Sequence, residues 1–323
     1  MKKVLYLAAM LSLVLFGFSC TKPGGNRADS QTPGNNSGNE GNENGNGGTP
    51  EYTRPEIKTG AENLVLWLSF NDDKIVDKGD GVTLGENKGQ AGLGKGFIGQ
   101  AWTNKAGDNA TEAYTKLNLA ADNALTKMES FTFSVWAKLP KDKEAKCGII
   151  SFNGTGFEAT WPLFIFLFDN ISDITPEEGD PYKAQQFNGR IDFPTASGGK
   201  IPMWANCASD IYMKKDEWFH LARTYDAATG HWANYANGQI VNEGDFLQDE
   251  QPCGPVSAAF ADDCNALYVG GWASRIEGKA NEVWQTYCPG SLDELRFYNK
   301  AFTADEVLAL YGEEIAINLE EEE

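Results

Sequence analysis

One stretch near the C-terminus, Gly290 to Tyr311 (GSLDELRFYNKAFTADEVLALY), limits the fold of this chain more than any other. Leu292 to Tyr298 reads as a β-strand, because its side chains must alternate between two faces with period two. Thr303 to Glu306 then spells T-x-x-E. That is a capping box, in which the threonine and glutamate side chains satisfy each other's backbone N–H groups. Val307, Leu308, Leu310 and Tyr311 follow, which predicts a short amphipathic helix with one apolar side. Asp293 and Glu294 open the strand. Adjacent strand positions face opposite ways, and a carboxylate is costly to bury without a partner.

Further strands precede this one. Leu64 to Phe70 ends in a polar corner at Asn71, Asp72 and Asp73. Phe131, Phe133, Val135, Ala137 and Leu139 share one strand face, opposite Thr132, Ser134, Trp136 and Lys138. Glu217 to Asp226 is apolar on both faces, as a covered central strand would be. Asn237-Gly238 is a hairpin turn signal between Trp232–Ala236 and Gln239–Asn242. Ala266 to Val269 is another short strand.

In order, the pieces are L-x-W-x-F-N-D, G-x-x-G-x-A, F-T-F-S-V-W-A-K, E-W-F-H-L-A-R-T-Y-D, Y-A-N-G, L-Y-V-G and S-L-D-E-L-R-F-Y-N. This series resembles the laminin-G-like, concanavalin-A-like jelly-roll family. The resemblance implies an all-β fold: a two-sheet antiparallel sandwich with a short C-terminal helix. Phe157 to Met213 is longer than a minimal domain of the family needs, and with Val283 to Cys288 it is where this chain's own function is expected.

The N-terminus carries Lys2, Lys3 and an apolar run from Val4 to Phe18, too short to span a bilayer comfortably. Small residues then meet Cys20. The segment 1–20 resembles a bacterial lipoprotein signal peptide acylated at Cys20; the plain alternative is a secretory signal cleaved nearby. Thr21 after the cysteine points to an outer-membrane lipoprotein, at the cell surface or the periplasmic face. Residues 21–60 are rich in Gly, Asn and Pro with almost no aliphatic side chains, so they read as a tether that cannot build a core. About 40 flexible residues span roughly 35 Å. The jelly-roll domain is placed at 61–313 and an acidic tail at 314–323.

The net charge of −19 disfavours nucleic acid and anionic lipid as partners. Six cysteines suit an oxidising compartment. Cys253 and Cys264 close a short loop and are the first expected disulfide. No CxxC is present and histidine is scarce, so a zinc site is not expected.

Catalytic signatures are absent from the sequence. No E-x-D-x-x-E run places two carboxyls together as a retaining glycosidase requires. Asp293 and Glu294 face apart, and Glu177, Glu178 and Asp180 sit in a loop. No G-x-S-x-G occurs. Gly92 to Gly99 is glycine-rich, but no helix pattern follows it as a phosphate loop needs. His220 lies in an apolar strand and reads as a core residue, and His231 sits at a turn. The chain is therefore expected to be non-catalytic. A polysaccharide hydrolase or lyase with an unrecognised site, and a protein-binding adhesion component of a surface complex, are the other readings.

Two sets of residues are candidates for binding. The family resemblance implies a structural calcium between the first-strand corner and the closing strand, which maps to Asn71 or Asp72 and to Asp293. Calcium takes six to eight oxygens, backbone carbonyls included. The alternative is that Asp72 is a turn residue and Asp293 pairs with Arg296. The second set is aromatic. Sugar rings present apolar faces to tryptophan and tyrosine. Trp161, Trp204, Trp272 and Trp284 fall in insertions or near strand ends, with Asn206, Asp210, Tyr212 and Arg275 close by. Each is either a glycan platform or a plug over the core. Trp161, Trp204, Tyr212, Trp272 and Trp284 are the expected ligand contacts, and the ligand is expected to be a polysaccharide captured at the outer membrane.

Overall fold

The computed structural model describes residues 56–322, apart from 73, 142, 144, 145, 155, 157, 159, 175–181, 207–212 and 261–262. The signal segment with Cys20, most of the tether, Tyr212, Asp210, Cys207 and the 177–180 carboxylates lie outside the described residues. The fold below is that of the compact unit Thr53–Glu323.

Strands β1 (Leu64–Leu68), β2 (Lys78–Gly79), β3 (Val82–Gly89), β4 (Ala91–Lys95), β5 (Gln100–Asn104) and β6 (Ala113–Leu119) come first. Next are β7 (Phe131–Lys138), β8 (Cys147–Phe152), β9 (Phe164–Ile174), β10 (Tyr182–Pro194), β11 (Lys200–Asn206) and β12 (Met213–Lys214). Then come β13 (Phe219–Tyr225), β14 (His231–Ala236), β15 (Gln239–Asp245), β16 (Leu247–Gln248), β17 (Gln251–Pro252) and β18 (Ala266–Val269). Helix α1 (Ala273–Ile276), β19 (Ser291–Tyr298) and helix α2 (Ala304–Glu322) follow.

The first sheet runs β15-β14-β13-β7-β19-β1-β2, with β5 joined to β19 and β4 to β5. The second runs β11-β10-β9-β8-β18-β6-β3, with β12 on β10. Both are antiparallel, and they pack face to face as the expected jelly-roll sandwich. Alternation makes the core. Phe131, Phe133, Val135, Ala137 and Leu139 all point into it, as their spacing predicts. Phe133 of the first sheet stacks on Phe166 of the second with ring centroids 4.4 Å apart. Each such side chain contributes about 1.5–3 kcal/mol on burial.

The stretch from Phe157 to Met213, taken as an insertion, is mostly sheet: it supplies β9, β10 and β11, one flank of the second sheet. β13 differs from expectation in one residue. Arg223 shares the core face with Leu221 and Tyr225. Its guanidinium lies 5.0 Å and 4.9 Å from the rings of Phe166 and Phe187 and donates to the carbonyl of Ala205 at 2.8 Å. Ring faces and hydrogen bonds make that burial tolerable.

β19 runs between β7 and β1, as a central strand. Its alternation breaks at a bulge between Asp293 and Arg296, where Glu294 takes φ 50°. Leu292, Leu295 and Phe297 enter the core, so Asp293 and Glu294 both face away from it, and Glu294, two residues before Arg296 on that face, pairs with it. Arg296 also pairs with Glu314 of α2. Trp136 Nε1 donates to Glu314 at 2.7 Å and Trp67 Nε1 to Glu294 at 3.0 Å. His220 is buried with Nε2 3.6 Å from Glu314. Burial, and then the charge of Arg296, push its pKa down to about 3, so the imidazole is neutral. The capping box forms as expected, with Thr303 N–H on Glu306 at 2.9 Å and Glu306 N–H on Thr303 at 3.3 Å.

Helix α2 does not stop at the expected boundary of 313 but continues to Glu322. Glu314, placed at the start of the acidic tail, is fully buried. A run of acidic residues looks solvated in sequence, because its partners Arg296, Trp136 and His220 are distant along the chain. Glu314→Ala would leave Arg296 paired with Glu294 alone, stranding the buried Arg296 Nη1 and Trp136 Nε1 donors, and should cost about 1–3 kcal/mol for each. Urea unfolding would show it as a lowered midpoint with an unchanged slope.

Candidate functional site

The second sheet has an outer face, and the register defines it. β10 sends Phe187, Ile191 and Phe193 inward, so Asn188, Arg190 and Asp192 point out. Across the strands Arg190 pairs with Trp204 on one side and Ile165 on the other. Ile165 pairs with Ser151, Ser151 with Tyr268, Tyr268 with Lys116, and Lys116 with Glu86. This row crosses the whole face.

The loop from Gly270 to Cys288 covers the middle of the row. Ser151 Oγ donates to the carbonyl of Gly271 at 2.8 Å and accepts from Ala273 N–H at 2.9 Å. Tyr268 donates to Glu277 at 3.0 Å. At the β10–β11 end the cover gives way to tryptophan. Trp161, Trp204 and Trp284 are half-buried there, packed with Ile165, Leu167 and Trp272. Ring centroids lie 4.8 Å apart for Trp161–Trp204, 5.1 Å for Trp161–Trp284 and 5.2 Å for Trp161–Trp272.

Charges hold the rings from behind. The Arg190 guanidinium lies 4.8 Å from the Trp161 ring and 5.5 Å from that of Trp204. It grips Asp192 through two bonds, Nε–Oδ1 at 2.7 Å and Nη2–Oδ2 at 3.2 Å. Both side chains are buried, at 2% and 0% exposure. A paired guanidinium stacked on aromatic faces fixes their tilt. Lys146 lies 5.5 Å from the Trp284 ring and pairs with Asp169 at 3.0 Å. Glu158 stands at the rim, half-exposed, 3.6 Å from Arg190. The arrangement offers ring faces and edges at the surface, with carboxylate and ammonium groups beside them.

The sequence-predicted residues sort accordingly. Trp161, Trp204 and Trp284 converge. Trp272 also joins the cluster, but it is fully buried and cannot touch a ligand; it is the plug. Its Nε1 donates to the carbonyl of Lys146 at 3.3 Å. Trp204 lies within β11, not in a loop. Arg275 turns to the loop itself, its guanidinium near Tyr287 and donating to the carbonyl of Gln285. Arg190, Asp192, Lys146, Asp169 and Glu158 were not singled out from sequence. The alternation of Asn188, Arg190 and Asp192 with Phe187, Ile191 and Phe193 was the available signal.

The calcium expectation does not fit the corner as it stands. Asp293 Oδ2 accepts the N–H groups of Phe97 and Ile98 at 2.8 Å and 2.9 Å, and Oδ1 accepts that of Glu294 at 2.7 Å. Asn71 Oδ1 accepts Gln100 N–H at 2.6 Å. Asp72 is exposed, with φ 54°. These oxygens face N–H donors and clamp the Gly96–Gly99 turn from two sides. Among the described residues no group of three or more His, Cys, Asp or Glu is placed to hold a metal. The described cysteines Cys147, Cys253, Cys264 and Cys288 are all free thiols in the structure, so the expected Cys253–Cys264 bridge is not shown. Cys253 accepts from Gln248 at 3.7 Å, while Cys264 packs on the Gly154 turn.

A groove of about 1170 Å³ lies elsewhere, lined in part by Asp226, His231, Asp245, Lys300 and Thr303. His231 is 45% exposed there and faces Asp245 and Glu243 at 3.1 Å and 3.5 Å. No tryptophan lines it.

The family model described as the concanavalin A-like lectin/glucanases superfamily matches residues 109–308. The chain belongs to this superfamily. No curated protein matches its sequence. Among solved structures it is similar to domain 4 of AbnA, a GH43 extracellular arabinanase from Geobacillus stearothermophilus, in complex with arabinotriose. That match has 18% identity and a TM-score of 0.46, covering 77% of this chain and 98% of that one. It is also similar to a heptameric SAP-like pentraxin from Limulus polyphemus, at 16% identity and TM-score 0.35, covering 56% of this chain and 69% of the other. The botulinum neurotoxin type G receptor-binding domain matches at 12% identity and TM-score 0.42, covering 77% of this chain and 51% of that one.

Trp272→Ala removes a fully buried indole from beneath the patch and should cost about 3–5 kcal/mol, read as a lowered urea midpoint.

Proposed function

We propose that the chain is a non-catalytic glycan-binding module and that the tryptophan patch is its site. The observation that carries this reading is the convergence of Trp161, Trp204 and Trp284 at one end of an outer sheet face, each half-buried. Pyranose and furanose rings have apolar C–H faces that lie on such indoles, while their hydroxyls take polar groups at the rim. Glu158 and Lys146 supply those groups. The rings are set before any ligand arrives, because Arg190 and Trp272 hold them, and a preordered site loses less entropy on binding. Membership of a superfamily of lectins and glucanases supports the substrate class.

The decisive measurement is binding of the purified protein to a panel of polysaccharides, with Trp161→Ala and Trp204→Ala beside it. Each substitution should weaken retention by about tenfold or more, as loss of an aromatic anchor does, without changing the melting temperature by more than a few degrees. Retention of no glycan by the parent protein would sink the proposal and move the weight to a protein partner.

The same reading places the module at the outer membrane, on a lipid at Cys20 and a tether from 21 to 60. Two or more acyl chains give a stable anchor where one does not. Cys20→Ser should move the protein from the membrane to the soluble fraction, and intact mass should show the acyl chains missing.

A further inference from the structure

The loop that carries Trp272 and Trp284 is stitched to the start of β8. The Lys146 carbonyl accepts Trp272 Nε1 at 3.3 Å, Thr286 N–H at 3.3 Å and Thr286 Oγ1 at 3.1 Å. Cys147 forms a parallel bridge with Thr286. Cys288 lies two residues further on, and its N–H donates to Gly270 at 2.8 Å, while Gly270 N–H donates to Ile149 of β8 at 2.9 Å. The strand end and the loop end therefore run side by side. Cys147 and Cys288 are both fully buried in one core cluster, and their thiols are close enough to influence each other.

We propose that Cys147 and Cys288 form a disulfide when the chain folds in an oxidising compartment, and that this bond staples the tryptophan-bearing loop to β8. The step is thiol–disulfide exchange with a disulfide such as glutathione disulfide or an oxidoreductase. One cysteine thiolate attacks the oxidant's S–S bond and expels one thiol. The second cysteine then displaces the other. The two cysteines lose two electrons and two protons, and the oxidant leaves as two thiols.

Burial explains the timing. Desolvation, followed by the neighbouring Cys288, pushes the Cys147 thiol well above the ordinary cysteine range, and only the thiolate reacts. Exchange therefore takes place before the core closes, and the finished bond is shielded from reductants. The bond closes a long loop, from 147 to 288, which is where a cross-link restricts the unfolded chain most in the loop-entropy account.

The location of oxidation rests on the export reading, whereas the pairing is testable without it. The protein is refolded with glutathione and glutathione disulfide, denatured, alkylated without reductant, digested and mapped by mass. The expected result is a linked pair of peptides holding Cys147 and Cys288, with Cys253 and Cys264 alkylated. Alkylation of Cys147 or Cys288, or linkage of either to another cysteine, overturns the pairing. If refolded protein is linked while protein recovered from cells is not, the export reading fails and the pairing stands. The oxidised form should melt about 5–10 °C above the reduced form and resist tryptic cleavage after Lys279 in the covering loop. A linked protein with unchanged melting and cleavage overturns the staple.

Discussion

A carboxylate taken out of water must be met by donors, and four such groups organise this molecule. Asp293 clamps the Gly96–Gly99 turn with two N–H bonds. Glu294, from the bulge two residues before it, and Glu314, from helix α2, close on Arg296. Asp192 holds Arg190 beneath the tryptophan patch. Deleting one partner of such a pair costs more than the pair itself contributes, because the survivor stays buried and charged. The sandwich core would form from alternation alone. The position of helix α2 and the tilt of the surface indoles would not.

The fold was legible because its evidence is local. The alternation of Phe131 to Lys138 and the capping box at Thr303 need no distant residue to be read, and both hold in the structure. The site was legible in part. Trp161, Trp204 and Trp284 stood out as aromatics away from the recognised strands, and they do converge. Trp272 could not be separated from them, because plug and platform differ only in what lies above the ring. The features that escaped are pairings between distant residues. Glu314 looks like tail until Arg296 and Trp136 are beside it. Glu294 cannot be seen to leave the alternation, because a bulge carries no composition signal. Arg223 in a strand apolar on both faces is the same case, its surroundings supplied by Phe166 and Phe187 from the other sheet.

The patch is built so that each layer settles the next. The core fixes β9 and β10, their outer residues fix Arg190 and Ile165, and these with Trp272 fix the half-exposed indoles. The rings are already packed on one another and on the sheet in the structure. The rim is different: Glu158 and Lys146 are long side chains and partly solvated.

The Lys146 carbonyl has a separate consequence for how this surface can change over generations. It anchors the covering loop through a main-chain oxygen, which no substitution at position 146 removes. The side chain at the same position lies over the Trp284 ring and takes no part in that anchoring. Structural support and surface chemistry are thus carried by different atoms of one residue. Selection can exchange the ammonium for another group, and so alter what the rim prefers, while the architecture beneath stays as it is.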